Sequence, residues 1–360
     1  MSIHERDGLE HVPAYRQGKA APAGAAKLSS NESPHAPLPS VIDAVSARLG
    51  TLQRYPSIAA PELTAALAER HSVDASRVTL GAGSVEILSQ LVHALAGPGD
   101  EVVYAWRSFE AYPSLVRIAG ATPVEVPLTA DGVHDLPAMR AAITPRTRMV
   151  VVCNPNNPTG TVVPGEELEA FVDSVPRDVL VVIDEAYVHF DRSPGRTDGM
   201  DLARRYEHVA VLHTFSKAYG LAGLRVGFAV SPPAVADALR KVALPFGVSD
   251  LAQAAAVASL AAQAELDTRI EEVVAQRERM REGLAAAGLA PLPTQANFVW
   301  IPAGPDTARV AAALEGGGVV VRAFEDEGLR ISVGTPDEVD RVLDIAASMP
   351  GQHERAGVMA

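Results

Sequence analysis

Short apolar runs recur along the first two thirds of the chain, each followed by a polar or glycine-containing turn. Val78–Leu80, Glu101–Tyr104, Thr122–Val126, Arg148–Cys153, Val179–Ile183 and Val209–His213 read as strands. The last three are continuous rather than alternating, the pattern of strands covered on both faces. Pro61–His71, Val85–Ala96 and Phe109–Ile118 carry helical spacing beside them, and Pro61 suits a first helical position. Such alternation predicts parallel βαβ units and a mostly parallel, doubly wound α/β sheet. After Phe228 the pattern changes. Pro232–Val242 reads as a helix, and 249–263 and 265–288 as two long ones. Asn297–Ile301 and Val319–Arg322 are short strands with a helix between them, Gly328–Val333 is a last strand, and Pro336–Ala347 a closing helix. This predicts a second, smaller α+β domain. Residues 1–30, rich in Ala, Pro and Gly, read as an extended arm with little packing of its own. The expected division is an arm over 1–30, a large domain over 51–245, and a small domain from 31–50 and 246–360.

Composition narrows the function. With 360 residues, 48% apolar and 21% charged, the chain can bury a large core over two domains. A net charge of −13 argues against nucleic acid or an anionic membrane as partner. The N-terminus lacks an apolar core of the kind a signal peptide needs, so none is expected. The most apolar run, Leu251–Ala264, is interrupted by Gln253, Ser259 and Gln263, and reads as a buried helix rather than a membrane span. The single cysteine, Cys153, rules out an internal disulfide framework and fits a reducing, cytoplasmic compartment. No histidine has metal-ligand spacing, and His189 with Asp191 is too small a set, so no metal is expected.

Polar residues collect where three strands end: Asn154-Pro155-Asn156-Asn157-Pro158-Thr159-Gly160, Asp184-Glu185-Ala186-Tyr187, and Ser216-Lys217. Ligands of open α/β sheets bind at such carboxyl ends. Lysine is scarce, with only Lys19, Lys27, Lys217 and Lys241, so arginine supplies most positive charge. Lys217 lies among small and apolar residues, with Ser216 before it, Gly220 and Gly223 after it, and Arg225 eight residues on. A primary amine forms a Schiff base where a guanidinium does not. Gly81-Ala82-Gly83-Ser84 opens a helix, a geometry that offers free amides to an anion.

In this order, the Asn-Pro, Asp-Glu-Ala-Tyr and Ser-Lys motifs, with Gly220 and Arg225, resemble the fold-type-I pyridoxal-phosphate aminotransferases, and among them the histidinol-phosphate and aromatic amino acid aminotransferases. The likeness runs from about Asn31 to Arg330. It implies pyridoxal 5′-phosphate as cofactor, held by Lys217 as an aldimine, with the released amine then carrying the proton between substrate and cofactor. It places Asp184 on the pyridine nitrogen, Asn157 and Tyr187 on the phenolic oxygen, and Phe109 on the ring face. The phosphate falls to Gly83, Ser84, Val85, Ser216 and Arg225. The likeness also implies a homodimer in which Tyr55 reaches the neighbouring subunit's phosphate. On the substrate side, Arg330 grips a carboxylate, Arg322 holds a second acidic group or a phosphate, and Asn31 and Tyr15 complete the wall, although the last two also fit a structural role.

Two stretches favour the aromatic branch. Gly81-Ala82-Gly83-Ser84-Val85-Glu86 lacks the Asn and Asp frequent at this turn in histidinol-phosphate enzymes, and Trp106-Arg107-Ser108-Phe109 replaces a Pro-Thr-Tyr type sequence. The expected reaction is ping-pong transamination from phenylalanine or tyrosine to 2-oxoglutarate. The alternative is histidinol-phosphate transamination, with Arg322 and Arg330 on the phosphate. A lyase or decarboxylase on the same fold would differ in its products. A ligand-sensing domain of a transcription regulator would need a DNA-binding module, for which the N-terminal segment has no room.

Overall fold

The computed structural model describes residues 6, 8–14 and 18–349. Valine-rich runs need a sheet covered on both sides, and the chain supplies one of seven strands. These are β2 (Val78–Gly81), β3 (Glu101–Trp106), β4 (Thr122–Pro127), β5 (Thr147–Cys153), β6 (Leu180–Asp184), β7 (Val209–Thr214) and β8 (Gly227–Val230). Their order is β2-β8-β7-β6-β5-β3-β4. Strands β4, β3, β5, β6 and β7 pair in parallel, whereas β8 runs antiparallel between β7 and β2.

Alternate side chains of each central strand enter different cores. Val150, Val152, Val181 and Ile183 join Leu168 and Phe171 of helix Gly165–Ser174. Met149, Val151 and Val182 join Ile87 and Leu91 of helix Ser84–Leu95 on the other face. All of these strand residues are almost fully buried. Burial of each such side chain contributes about 1.5–3 kcal/mol, so register in this sheet is strongly fixed.

A second sheet has four strands in the order β1-β10-β11-β9, namely β1 (Ala26–Leu28), β9 (Phe298–Ile301), β10 (Val319–Phe324) and β11 (Gly328–Ser332). Helices Gln263–Ala286 and Pro336–Ser348 pack on each other beside it. The latter starts with a capping box in which the Thr335 hydroxyl and the Glu338 carboxylate exchange bonds with each other's backbone. Helix Pro39–Arg48 packs on helix Asp250–Ala261.

Two features differ from the sequence reading. Residues 26–28 lie within the segment read as a loosely packed arm, yet Ala26 and Leu28 are buried and β1 pairs in parallel with β10. A three-residue edge strand has no periodicity of its own, and its partner lies nearly the whole chain away. Strand β8 was absorbed into the glycine-rich stretch around Arg225, and its antiparallel direction leaves no local trace. Among the described residues no helix is long and apolar enough to cross a membrane.

Candidate active site

The carboxyl ends of β3, β5, β6 and β7 open into a cavity of about 960 Å³ between the two sheets. The strands lie in the sheet as β4-β3-β5-β6-β7, so the connection from β3 to β4 and that from β5 to β6 leave in opposite directions on either side of the β3/β5 pair. That is the crevice where open α/β sheets receive ligands. Phe109, Asn157, Asp184, Tyr187, Ser216 and Lys217 all line it.

Strand β6 delivers Asp184 into the cavity with its carboxylate buried. Tyr112 donates to Oδ2 at 2.7 Å, and the Ala186 amide reaches Oδ1 at 3.3 Å. Burial pushes the carboxyl above its usual range, while these two donors pull it back down. Among the described residues Asp184 forms no ion pair. A buried carboxylate of this kind calls for a cation. The neighbouring Glu185 serves the scaffold instead, pairing with His213 at 2.7 Å and accepting the Gly199 amide at 3.0 Å.

Lys217 follows β7 by three residues. Its amine donates to the Ser30 carbonyl at 3.3 Å. Burial lowers its pKa to about 7, and the Arg330 guanidinium acts in the same sense, with Glu32 opposing. The amine is therefore available both as a nucleophile and as a proton carrier near neutral pH.

The glycine turn and the Arg225 segment meet at one edge of the cavity. Arg225 donates to Ser216 Oγ at 3.2 Å, to the Ala222 carbonyl at 3.0 Å and to the Ala82 carbonyl at 3.0 Å. Gly83 has φ +84°, and a Cβ there would stand 2.5 Å from Arg225 Nη2. A Cβ on Gly227 of β8 would stand 2.6 Å from the Ser84 amide nitrogen. The two glycines thus let the helix N-terminus, β8 and the guanidinium come together. Ser84, Val85, Ser216 and Arg225 line the cavity here. The Ala82 amide is already taken by the Glu86 carboxylate.

The segment Ser29–Asn31 forms the facing wall. Arg330 on β11 donates to the Ser29 carbonyl at 2.9 Å and to Asn157 Oδ1 at 2.5 Å. Asn31 Nδ2 donates to the Tyr187 hydroxyl at 3.1 Å. The Asn31 backbone is held by Ser332 Oγ at 2.7 Å and by Asn297 Nδ2 at 3.1 Å. Burial pushes the Tyr187 phenol up, so it stays protonated and able to donate. Arg322 also lines the cavity, but its Nη2 lies 2.8 and 3.0 Å from the two carboxylate oxygens of Glu110.

The structure therefore brings Asn31, Ser84, Val85, Phe109, Asn157, Asp184, Tyr187, Ser216, Lys217, Arg225, Arg322 and Arg330 around one space, with Gly83 directly behind it. Tyr55 is not among them. It is 82% exposed and stacks on Phe246 at 4.5 Å. Tyr15 lies outside the described residues. The sequence reading missed Tyr112 and Glu110. Tyr112 had a signal, since a phenol on the apolar face of a buried helix needs a partner. Glu110 had none, because its partner is 212 positions away.

Pyridoxal 5′-phosphate fits this donor set. A phosphate matches Ser216, Arg225 and the helix N-terminus. A protonated ring nitrogen matches Asp184, and a phenolate oxygen matches the protonated Tyr187 and the Asn157 amide. An aldehyde matches the Lys217 amine.

Comparison with known proteins gives concordant results. Residues 24–345 match the family described as aminotransferase class I and II. The chain is 56% identical over 348 residues to an aromatic amino acid aminotransferase of Thermobifida fusca, covering 96% of this chain and 97% of that protein. It is 51% identical over 344 residues to an aromatic amino acid aminotransferase of Cutibacterium acnes, covering 96% and 98%. The crystal structure of histidinol-phosphate aminotransferase from Sinorhizobium meliloti, in complex with pyridoxal-5′-phosphate, superposes with a TM-score of 0.84 at 31% identity, over 91% of this chain and 92% of that one.

Proposed function

This chain belongs to the aminotransferase class I and II family, with pyridoxal 5′-phosphate as its cofactor, and on that premise we propose that it transfers the amino group of phenylalanine or tyrosine to 2-oxoglutarate. The observation that carries the aromatic reading is the lining of the cavity, which combines the Arg330 guanidinium with the apolar side chains of Leu9, Val12, Leu115 and Ile118. Relatives at 51 and 56% identity bear the name of that activity.

Arg330 is preset for an α-carboxylate. Its guanidinium is fixed by the Ser29 carbonyl and by Asn157, and it lies over the Phe298 and Phe324 rings at 5.6 and 6.0 Å. A planar fork held this way orients the amino acid so that its α-hydrogen faces Lys217. When bound, the cofactor supplies a protonated ring that accepts the electrons left at the substrate α-carbon. Asp184 sustains that ring charge from a site dry enough to make the interaction strong. Tyr187 and Asn157 donate to the phenolic oxygen. Lys217 would take the α-proton and return it to the cofactor's aldehyde carbon, two bonds away, a task suited to a pKa of about 7. Arg225, Ser216 and the helix N-terminus anchor the phosphate throughout.

The reading includes a homodimer in which Tyr55 completes the neighbour's phosphate site. Its support is an exposed apolar group, with Leu52 at 63%, Ile58 at 68% and Leu244 at 69% alongside Tyr55. Light scattering at micromolar concentration reads the mass directly, and a monomer would contradict it. The single buried Cys153 suits a reducing compartment such as the cytoplasm.

Product analysis tests the reaction class. With phenylalanine and 2-oxoglutarate the holoenzyme should form phenylpyruvate and glutamate in equal amounts, with parallel double-reciprocal lines. Release of ammonia or carbon dioxide would contradict transamination.

A further inference from the structure

Glu110 stands immediately before helix Ala111–Ile118. Helical geometry puts positions 110, 114, 115 and 118 on one face, and Glu110, Ser114, Leu115 and Ile118 all line the cavity. Arg6 donates to the Ile118 carbonyl, which ties the N-terminal turn bearing Leu9 to the far end of the same helix. The apolar wall and the carboxylate therefore belong to one surface. Arg322 reaches that surface from β10, with its guanidinium 5.7 Å from the Phe324 ring and paired to both Glu110 oxygens. Both side chains are largely shielded, at 20% exposure for Arg322 and 29% for Glu110.

We propose that Glu110 is a specificity-determining residue, a counter-charge that withholds Arg322 from anionic substrate side chains. The inference rests on the transaminase reading and concerns the side-chain end of the same site. An incoming distal carboxylate meets a guanidinium already neutralised, and must displace Glu110 or lie beside a like charge. A neutral aromatic ring leaves the pair intact and packs on Leu115 and Ile118. Arg330 remains the clamp for the α-carboxylate that amino acid and 2-oxo acid substrates share. Discrimination thus comes from the carboxylate set against Arg322, and not from the absence of a cation.

The test is kcat/KM of the holoenzyme for aspartate, whose side chain ends in a carboxylate, and for phenylalanine, in the wild type, in Glu110→Gln and in the double variant Glu110→Gln/Arg322→Gln. The ratio of the first donor to the second should rise about tenfold or more in Glu110→Gln, since one released charge-assisted contact is worth at least a factor of ten. The KM for 2-oxoglutarate should fall in the same variant. Both gains should vanish in the double variant. A merely structural role would lower both donors together and leave their ratio unmoved. If Gln disturbs folding, Glu110→Ala should give the same rise. An unchanged ratio, or a rise that persists without Arg322, would overturn the proposal. A wild type that turns over aspartate and not phenylalanine would refute the functional reading instead, while the ratio of variant to wild type would still report on Glu110.

Discussion

At the scale of single residues the site holds charges stripped of much of their water, with Asp184 and Arg330 buried and Lys217 half-buried. Lys217 shows the cost. Its amine has an ordinary pKa of 10.5 and titrates near 7 in the fold. Between those values the unfolded chain binds a proton that the folded chain does not, so stability rises with pH across this window. The cofactor-free protein should therefore gain stability from pH 7 toward pH 10, and Lys217→Met should lose that part of the slope. Urea titrations of the two proteins at a series of pH values measure the difference, and identical slopes would contradict a depressed amine. Tyr112 has the complementary role. It supplies a neutral donor that keeps the Asp184 carboxylate hydrogen-bonded without cancelling its charge.

At the scale of elements, the phosphate corner depends on three segments that come close because two residues lack side chains. Gly83→Ala forces φ +84° on an L-residue and a methyl group onto Arg225. This positive-φ extended backbone, with ψ +164°, is open essentially to glycine alone and costs another residue about 1–3 kcal/mol, and the displaced guanidinium should weaken cofactor binding about tenfold or more. Titration of the apo variant with pyridoxal 5′-phosphate checks this, and wild-type affinity would show that Arg225 does not serve this corner. Element by element, legibility followed the range of the signal. Strands β5, β6 and β7 were readable because continuous valine runs permit little else. Lys217 and Asp184 were readable because each sits at the end of such a run. The edge strand β1 and the antiparallel β8 were not, since their identity resides in partners distant in sequence. The Glu110–Arg322 pair escaped for the same reason. Arg322 was expected to face substrate alone, and only the fold reveals what it faces.

At the scale of the whole molecule, the cavity exists because two sheets converge on the short stretch Ser29–Asn31. Lys217 comes to it from the seven-stranded sheet, and Arg330 and Ser332 from the four-stranded one. On the proposed reading, covalent chemistry and carboxylate recognition therefore lie on different sheets and share one wall. The large sheet holds the groups suited to the cofactor, and the segments around it set the substrate. On the proposed reading, such a division lets the substrate change while the cofactor groups stay, and chains similar to this one at 31% and 56% identity carry names for different substrates. The most direct measurement is the kcat/KM of the cofactor-saturated enzyme for phenylalanine against histidinol phosphate, with 2-oxoglutarate as acceptor. The account predicts a much larger value for phenylalanine. A larger value for histidinol phosphate would contradict it.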